Sequence, residues 1–188
     1  MKILRSKKGI LLSVGIALTL LGIVAALLYL FLGPKTFVIG NDQVGRIHLT
    51  LPREFKITEE IDSSRTRLET EDVMIGVYQE EARRYPPTVL ERPLENFVAE
   101  LIHYSPAIGQ GEDAMQTLGD MIYFEYESKD YETGEMQYSL TVAFKGRYDR
   151  GYLLFRTASE NKDTYRAQFL DWAQTLEFTD DHWPESWK

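Results

Sequence analysis

Three histidines, a scatter of serines and several neighbouring carboxylates are the residues of this 188-residue chain with the chemistry for catalysis or metal binding. His48, His103 and His182 fall on a predicted strand, at a helix end and in the C-terminal tail. No His-x3-His or His-Glu-x2-His pairing joins them, so their spacing offers no zinc site. Cysteine is absent, which removes disulfides, a thiolate nucleophile, Cys-ligated zinc and a lipid-modified cysteine. None of the serines from Ser63 to Ser186 stands in a Gly-x-Ser-x-Gly elbow or has an evident histidine partner. Adjacent carboxylates such as Glu80 and Glu81 would point to opposite faces of a strand. Asp130, Glu132 and Glu135 around Gly134 have the oxygen chemistry of a calcium loop. The twelve-residue loop, however, needs glycine at its sixth position and a bidentate glutamate at its twelfth. A solvated hairpin turn is expected there instead. The chain therefore reads as non-catalytic, with no metal or cofactor.

The elements that carry these residues begin with an apolar run. No charged residue occurs from Gly9 to Pro34, and a helix of about 24 residues would reach roughly 36 Å, enough to cross a hydrocarbon core. A cleaved signal has a shorter apolar region and a small-x-small cut site, whereas this run ends Leu28-Tyr29-Leu30-Phe31-Leu32. Residues 9–33 are expected as an uncleaved signal-anchor helix, with Ile10, Leu20, Leu28 and Phe31 in the membrane. Lys2, Arg5, Lys7 and Lys8 all precede it, so residues 1–8 form a basic tail on the cytoplasmic side and the remainder lies outside. All 29 acidic residues follow position 34, and only four of the 21 Lys and Arg precede it, leaving about −12 on the exported part. Nucleic acid is a poor partner for such a surface.

Residues 34–45 read as a linker or first edge strand reaching at most about 40 Å. The domain proper is expected over 46–178. Ile47, Leu49 and Leu51 alternate as a strand that Pro52 ends. Phe55 and Ile57 continue briefly, and Thr58 to Arg65 read as a connection. Leu68, Val73, Ile75 and Val77 predict a hairpin turning near Glu71-Asp72. Leu94, Phe97, Val98, Leu101 and Ile102 make one apolar helical stripe after Pro93. Strands return at Ile122 to Tyr126 and Met136 to Phe144. Tyr152 to Phe155, apolar on consecutive residues, predicts a central strand. Ser159 or Asn161 is placed to cap a last helix with the stripe Tyr165, Phe169, Trp172 and Leu176. Residues 179–188 form an acidic, Trp-containing tail. The order predicts an α+β domain, an antiparallel sheet with packed helices.

This arrangement resembles a known family. Leu51-Pro52 followed by Phe55, the hairpin from Leu68 to Tyr78, a helix, Gly119-Asp120 leading into Tyr123-Phe124-Glu125-Tyr126, then Gly151-Tyr152-Leu153-Leu154-Phe155-Arg156-Thr157-Ala158 and a terminal helix are similar to the PsbP-like (Mog/PsbP-type) sandwich. The likeness spans residues 45–178. It implies a non-catalytic domain that binds or supports other proteins, and it carries no catalytic set.

The contact residues expected on composition are Tyr123, Tyr126, Tyr138 and Tyr152 of the sheet, alongside an ordinary core role for them, and Trp183 and Trp187 of the tail. The expected partners are the membrane, through the one N-terminal helix, and an envelope protein complex. Two other readings stay open. Lys8-Gly9-Ile10 before an apolar helix resembles a prepilin leader, although the glutamate expected five residues after the cut is Val14 here. A ligand-binding sensor or hydrolase would need a deep pocket assembled from scattered residues.

Overall fold

The computed structural model describes residues 18–25, 28–29, 31–41, 45–62, 64–80, 92–105, 112–146 and 150–179. The chain divides into two units, Met1–Lys35 and Thr36–Lys188.

In the first unit, the described residues 18–25, 28–29 and 31–32 are helical. Gly33 N–H donates to the Tyr29 carbonyl at 2.7 Å, closing the last turn. Leu20, Leu28 and Phe31 expose more than half of their surface. Among the described residues, no helix is long and apolar enough to cross a membrane. Ile10 and the cations Lys2, Arg5, Lys7 and Lys8 lie outside the described residues.

The second unit is α+β and built on two antiparallel sheets. Strands β1 (Lys35–Asn41), β2 (Gly45–Leu51) and β10 (Glu177–Thr179) form the smaller one, in the order β1-β2-β10. The larger sheet holds β3 (Lys56–Asp62), β4 (Arg65–Glu69), β5 (Met74–Glu80), β6 (Gln116–Leu118), β7 (Met121–Lys129), β8 (Met136–Lys145) and β9 (Arg150–Ala158). Their order is β3-β4-β5-β9-β8-β7-β6. Helix α1 (Leu94–Tyr104) packs on one face of this sheet; helix α2 (Lys162–Ala173) packs on the other, together with the small sheet.

Period-2 geometry explains how one sheet serves two cores. On β8, Tyr138, Leu140, Val142 and Phe144 point into the larger core with Phe155, Phe169, Ile47 and Leu49. Ala143, on the opposite face, lies with Phe97, Val98 and Ile102 of α1. Ser139 and Thr141 of β8 share that face, and such small side chains let a helix approach closely. Strand β9 runs between β5 and β8, in the central position expected from its apolar run. Gly151 is required there, because a Cβ would run into the Tyr78 carbonyl oxygen and the Phe144 ring.

The β4–β5 hairpin turns at the expected place. Thr70 N–H donates to the Val73 carbonyl at 2.9 Å, and Val73 N–H donates to Thr70 Oγ1 at 3.1 Å.

The structure moves several expected boundaries. Residues 35–41 form an edge strand, one of the two readings of this stretch, with Phe37 and Ile39 in the core, so the second unit starts ahead of residue 46. Thr58 to Asp62 extend β3 instead of forming a connection. Asn161 precedes α2 but makes no side-chain cap; a 3-10 turn over Ser159–Asn161 leads into the helix, and the Lys162 N–H donates to Ser159 O. At the C-terminal end, Phe178 and Thr179 pair with Ile47 and Arg46 in the small sheet. Trp183 and Trp187 lie outside the described residues.

Candidate binding surface

Around β7 and β8 both faces of the large sheet are covered, and this decides where the tyrosines of those strands go. Tyr123, Tyr126 and Tyr138 are buried, so the core reading holds for them and they offer no ring to a partner. The hydroxyls of Tyr123 and Tyr138 have dedicated acceptors. Tyr123 donates to Gln116 Oε1 and Tyr138 to Glu125 Oε2, both at 2.6 Å. Tyr152 is half-buried, its ring stacked on Tyr78 at 4.5 Å. Burial, followed by the nearby Tyr78, pushes its phenol up to about 12. Burial, with Glu125 adding to it, pushes Tyr138 well above the usual phenol range. Neither hydroxyl is a proton donor to water chemistry near neutral pH.

Glu125 is the hub of this polar cluster. Arg166 of α2 grips it from Nε at 2.9 and 3.1 Å and from Nη2 at 2.6 Å. Burial raises the carboxyl's pKa, but the hydrogen bonds from Arg166 and Tyr138 outweigh it and hold the group below the ordinary value. Next to it, Lys162 donates to Glu127 at 3.0 Å and lies over the Tyr138 ring. Ser159 and Lys162 stand in Ser-x-x-Lys spacing. The Lys162 amine is committed to Glu127, so it is not poised as a base for Ser159. This cluster ties α2 to β7 and β8.

His48 sits on β2 and His103 near the end of α1, its ring edge-on to Tyr104 at 4.7 Å; His182 is outside the described residues. Among the described residues, no three His, Cys, Asp or Glu side chains stand close enough to hold a metal ion.

Two concave regions lie among the described residues. The first, about 180 Å³, lies over β3, β4, β5 and β9 and includes Arg65, Arg67, Arg156, Glu59 and Tyr78. Its lining carries three arginines and one glutamate. Arg67 bonds Glu69 at 2.6 Å and approaches Glu59 at 3.9 Å, a cross-strand ladder that stiffens the edge strand.

The second hollow, about 800 Å³, opens between the end of α1 and the β7–β8 turn, and Tyr104, Ser105, Ser128, Lys129, Asp130, Tyr131 and Gly134 line it. Its turn is firmly built. Asp130 Oδ1 accepts from the Glu132 N–H at 2.9 Å, the Thr133 N–H at 2.8 Å and Thr133 Oγ1 at 3.2 Å. Oδ2 accepts from Gln137 Nε2 at 3.2 Å. The backbone closes twice more, from Asp130 N–H to Glu135 O at 2.8 Å and from Gly134 N–H to Asp130 O at 3.0 Å. Gly134 has φ +76°, a conformation that favours glycine. The hydrogen bonds from Thr133 and Glu132 hold Asp130 below its ordinary pKa. Both carboxylate oxygens thus serve the hairpin turn, as its sequence predicts.

Asp130→Ala should free this turn without unfolding the domain. The Glu132 and Thr133 amides are expected to exchange with deuterium roughly tenfold faster, with the β8 amides unchanged. Equal protection of the turn in both proteins would show that Asp130 does not hold it.

No family model matches the chain, and no curated protein matches it. Among solved structures, it is similar to cyanobacterial PsbP (CyanoP) from Synechocystis sp. PCC 6803, at 12% identity and a TM-score of 0.46 over 78% of this chain and 92% of that one. A protein from Bacteroides thetaiotaomicron is similar at 13% identity and a TM-score of 0.49, over 78% of this chain and 49% of its own. LpqN of Mycobacterium tuberculosis, described as involved in cell envelope biogenesis, is similar at 13% identity and a TM-score of 0.43, over 78% of this chain and 91% of that one. One of these structures bears the name of the family that the sequence resembles, PsbP.

Proposed function

We propose that this chain is a single-pass membrane protein whose α+β domain lies outside the membrane and works by binding, as an accessory to an envelope protein assembly. The observation that carries the reading is the uncharged run from Gly9 to Pro34, preceded by Lys2, Arg5, Lys7 and Lys8. The described residues 18–25, 28–29 and 31–32 of that run are helical and expose large apolar side chains such as Leu20, Leu28 and Phe31, as suits a lipid-facing segment. Only Gly33 and Pro34 separate the helical Leu32 from β1, a tether that keeps partners of the domain near the bilayer.

A binding role suits what the domain offers. Its polar side chains are committed to one another in the Glu125, Asp130 and Arg67 clusters, and its acidic, cysteine-free surface stays soluble beside an anionic envelope.

Protease treatment of intact cells expressing the chain with a C-terminal epitope tests the topology. The epitope is expected to be digested, while a membrane fragment resists extraction with alkaline carbonate. A protected epitope, or release by carbonate, would overturn the reading. Crosslinking on the same cells is expected to recover a specific envelope protein, and recovery of none above background would remove the accessory role.

A further inference from the structure

We infer that the hollow between α1 and the β7–β8 turn binds a neutral oligosaccharide. Its rim carries Tyr131 and Tyr104, 100% and 84% exposed, the two most exposed large apolar side chains among the described residues of the second unit. The next, Val38, reaches 54%. That the two most exposed aromatics converge on one hollow is the first argument for a ligand, because exposed apolar area that clusters usually marks a binding site.

Rigidity is the second argument. Tyr131 stands on a turn closed by the Asp130 bonds and two backbone bonds, and Tyr104 is the last residue of α1. Both rings are therefore held in solvent by ordered backbone, so little conformational freedom is lost when a ligand stacks on them.

The lining gives the ligand's chemistry. Tyrosine pairs an apolar face with a polar tip, and Ser105 and Ser128 lie between the two rings' elements. Among the described lining residues, one cation, Lys129, and one anion, Asp130, leave no net charge, and both Asp130 oxygens already serve the turn. An uncharged ligand with apolar C–H faces and many hydroxyls matches this mixture. The volume, about 800 Å³, falls within the roughly 300–1,000 Å³ of small-ligand sites and is large enough for several sugar rings.

The inference rests on the reading of this domain as a binding module outside a membrane. The full chain, purified in a detergent without a sugar headgroup, would be titrated with chitotetraose and with maltotetraose and followed by calorimetry. At least one is expected to bind. Tyr131→Ala and Tyr104→Ala should each weaken that binding about tenfold, the scale of losing one stacked aromatic. Tyr131→Trp should retain it, Asp130→Ala should weaken it through the loosened turn, and Arg67→Gln should leave it unchanged. Failure of both sugars to bind would overturn the inference, as would wild-type binding by both alanine variants. So would a photo-crosslinker at position 131 that captures a protein on cells. Failure here, with the domain protease-accessible and a partner crosslinked, would leave the accessory reading intact; sugar binding with a protected epitope would do the reverse.

Discussion

Phe169→Ala is expected to cost about 3–5 kcal/mol, the range for truncating a fully buried aromatic. Phe169 is 0% exposed, and its ring has four aromatic neighbours from three elements. Phe155 of β9 lies at 5.1 Å and Tyr138 of β8 at 6.2 Å, both nearly parallel to it. Tyr165 and Trp172 of α2 flank it at 5.8 Å each. The truncation removes the plug between helix and sheet, and four large rings cannot collapse into the space. Domains of this size are stable by only about 5–15 kcal/mol, so about a fifth of the total or more is at stake. Urea unfolding of the full chain in detergent, followed by near-UV circular dichroism, measures the loss. Phe169→Leu should cost less than half as much, because the smaller hole is partly filled. A loss under about 1 kcal/mol for the alanine variant would mean that α2 does not dock where the structure has it.

Phe169 was legible in the sequence, since the 4-3-4 spacing of Tyr165, Phe169, Trp172 and Leu176 leaves one helical face to be buried. The same holds for the α1 stripe, for the β4–β5 hairpin and for β9. These elements carry their period within a short window, and local reading recovers them. β3 was cut short because, as an edge strand, it has no apolar alternation beyond Ile57, and its register with β4 is irregular. β10 is three residues long, and its pairing with β2 bridges residues far apart in sequence. Nothing in the sequence around Phe178 signals that partner. β1 did show alternation at Phe37 and Ile39, but its place directly after an apolar run made a linker equally plausible.

The site was less legible, for a related reason. Tyr123 and Tyr138 admit two readings from sequence, partner contact and ordinary core, because their phenols join an apolar face to a polar tip. A sheet covered by α1 on one face and α2 on the other buries them, and Gln116 and Glu125 accept their hydroxyls. Tyr104 and Tyr131 drew no attention, one closing a helix and the other within a turn. The usable signal was their context: Tyr131 sits in Asp-Tyr-Glu-Thr-Gly, where no periodicity can turn the ring into a core. Only the fold brings it beside the end of α1.

Arg166→Leu should cost about 2–3 kcal/mol near neutral pH, somewhat below the figure for a fully buried pair because the Arg166 side chain is 41% exposed. The variant takes the guanidinium away from Glu125, whose side chain is only 15% exposed, and leaves the hydrogen bond from the Tyr138 hydroxyl in place. The same pair sets part of the acid limit of the fold. Arg166 and Tyr138 hold the Glu125 carboxyl below its ordinary pKa, so the unfolded chain takes up a proton at a higher pH than the folded one does. The stability from this group is therefore fully present above the unfolded value, about 4.3, and disappears as pH falls through the depressed folded value. Glu127, held down by Lys162, and Asp130, held down by its turn, act in the same direction. Unfolding midpoints of the wild type should fall steeply below about pH 4. Glu125→Gln should start lower at pH 7 and fall less steeply, because it has no proton to gain at this position. Parallel curves for the two proteins across the acid range would remove Glu125 from the account and leave the acid limit to the surface carboxylates.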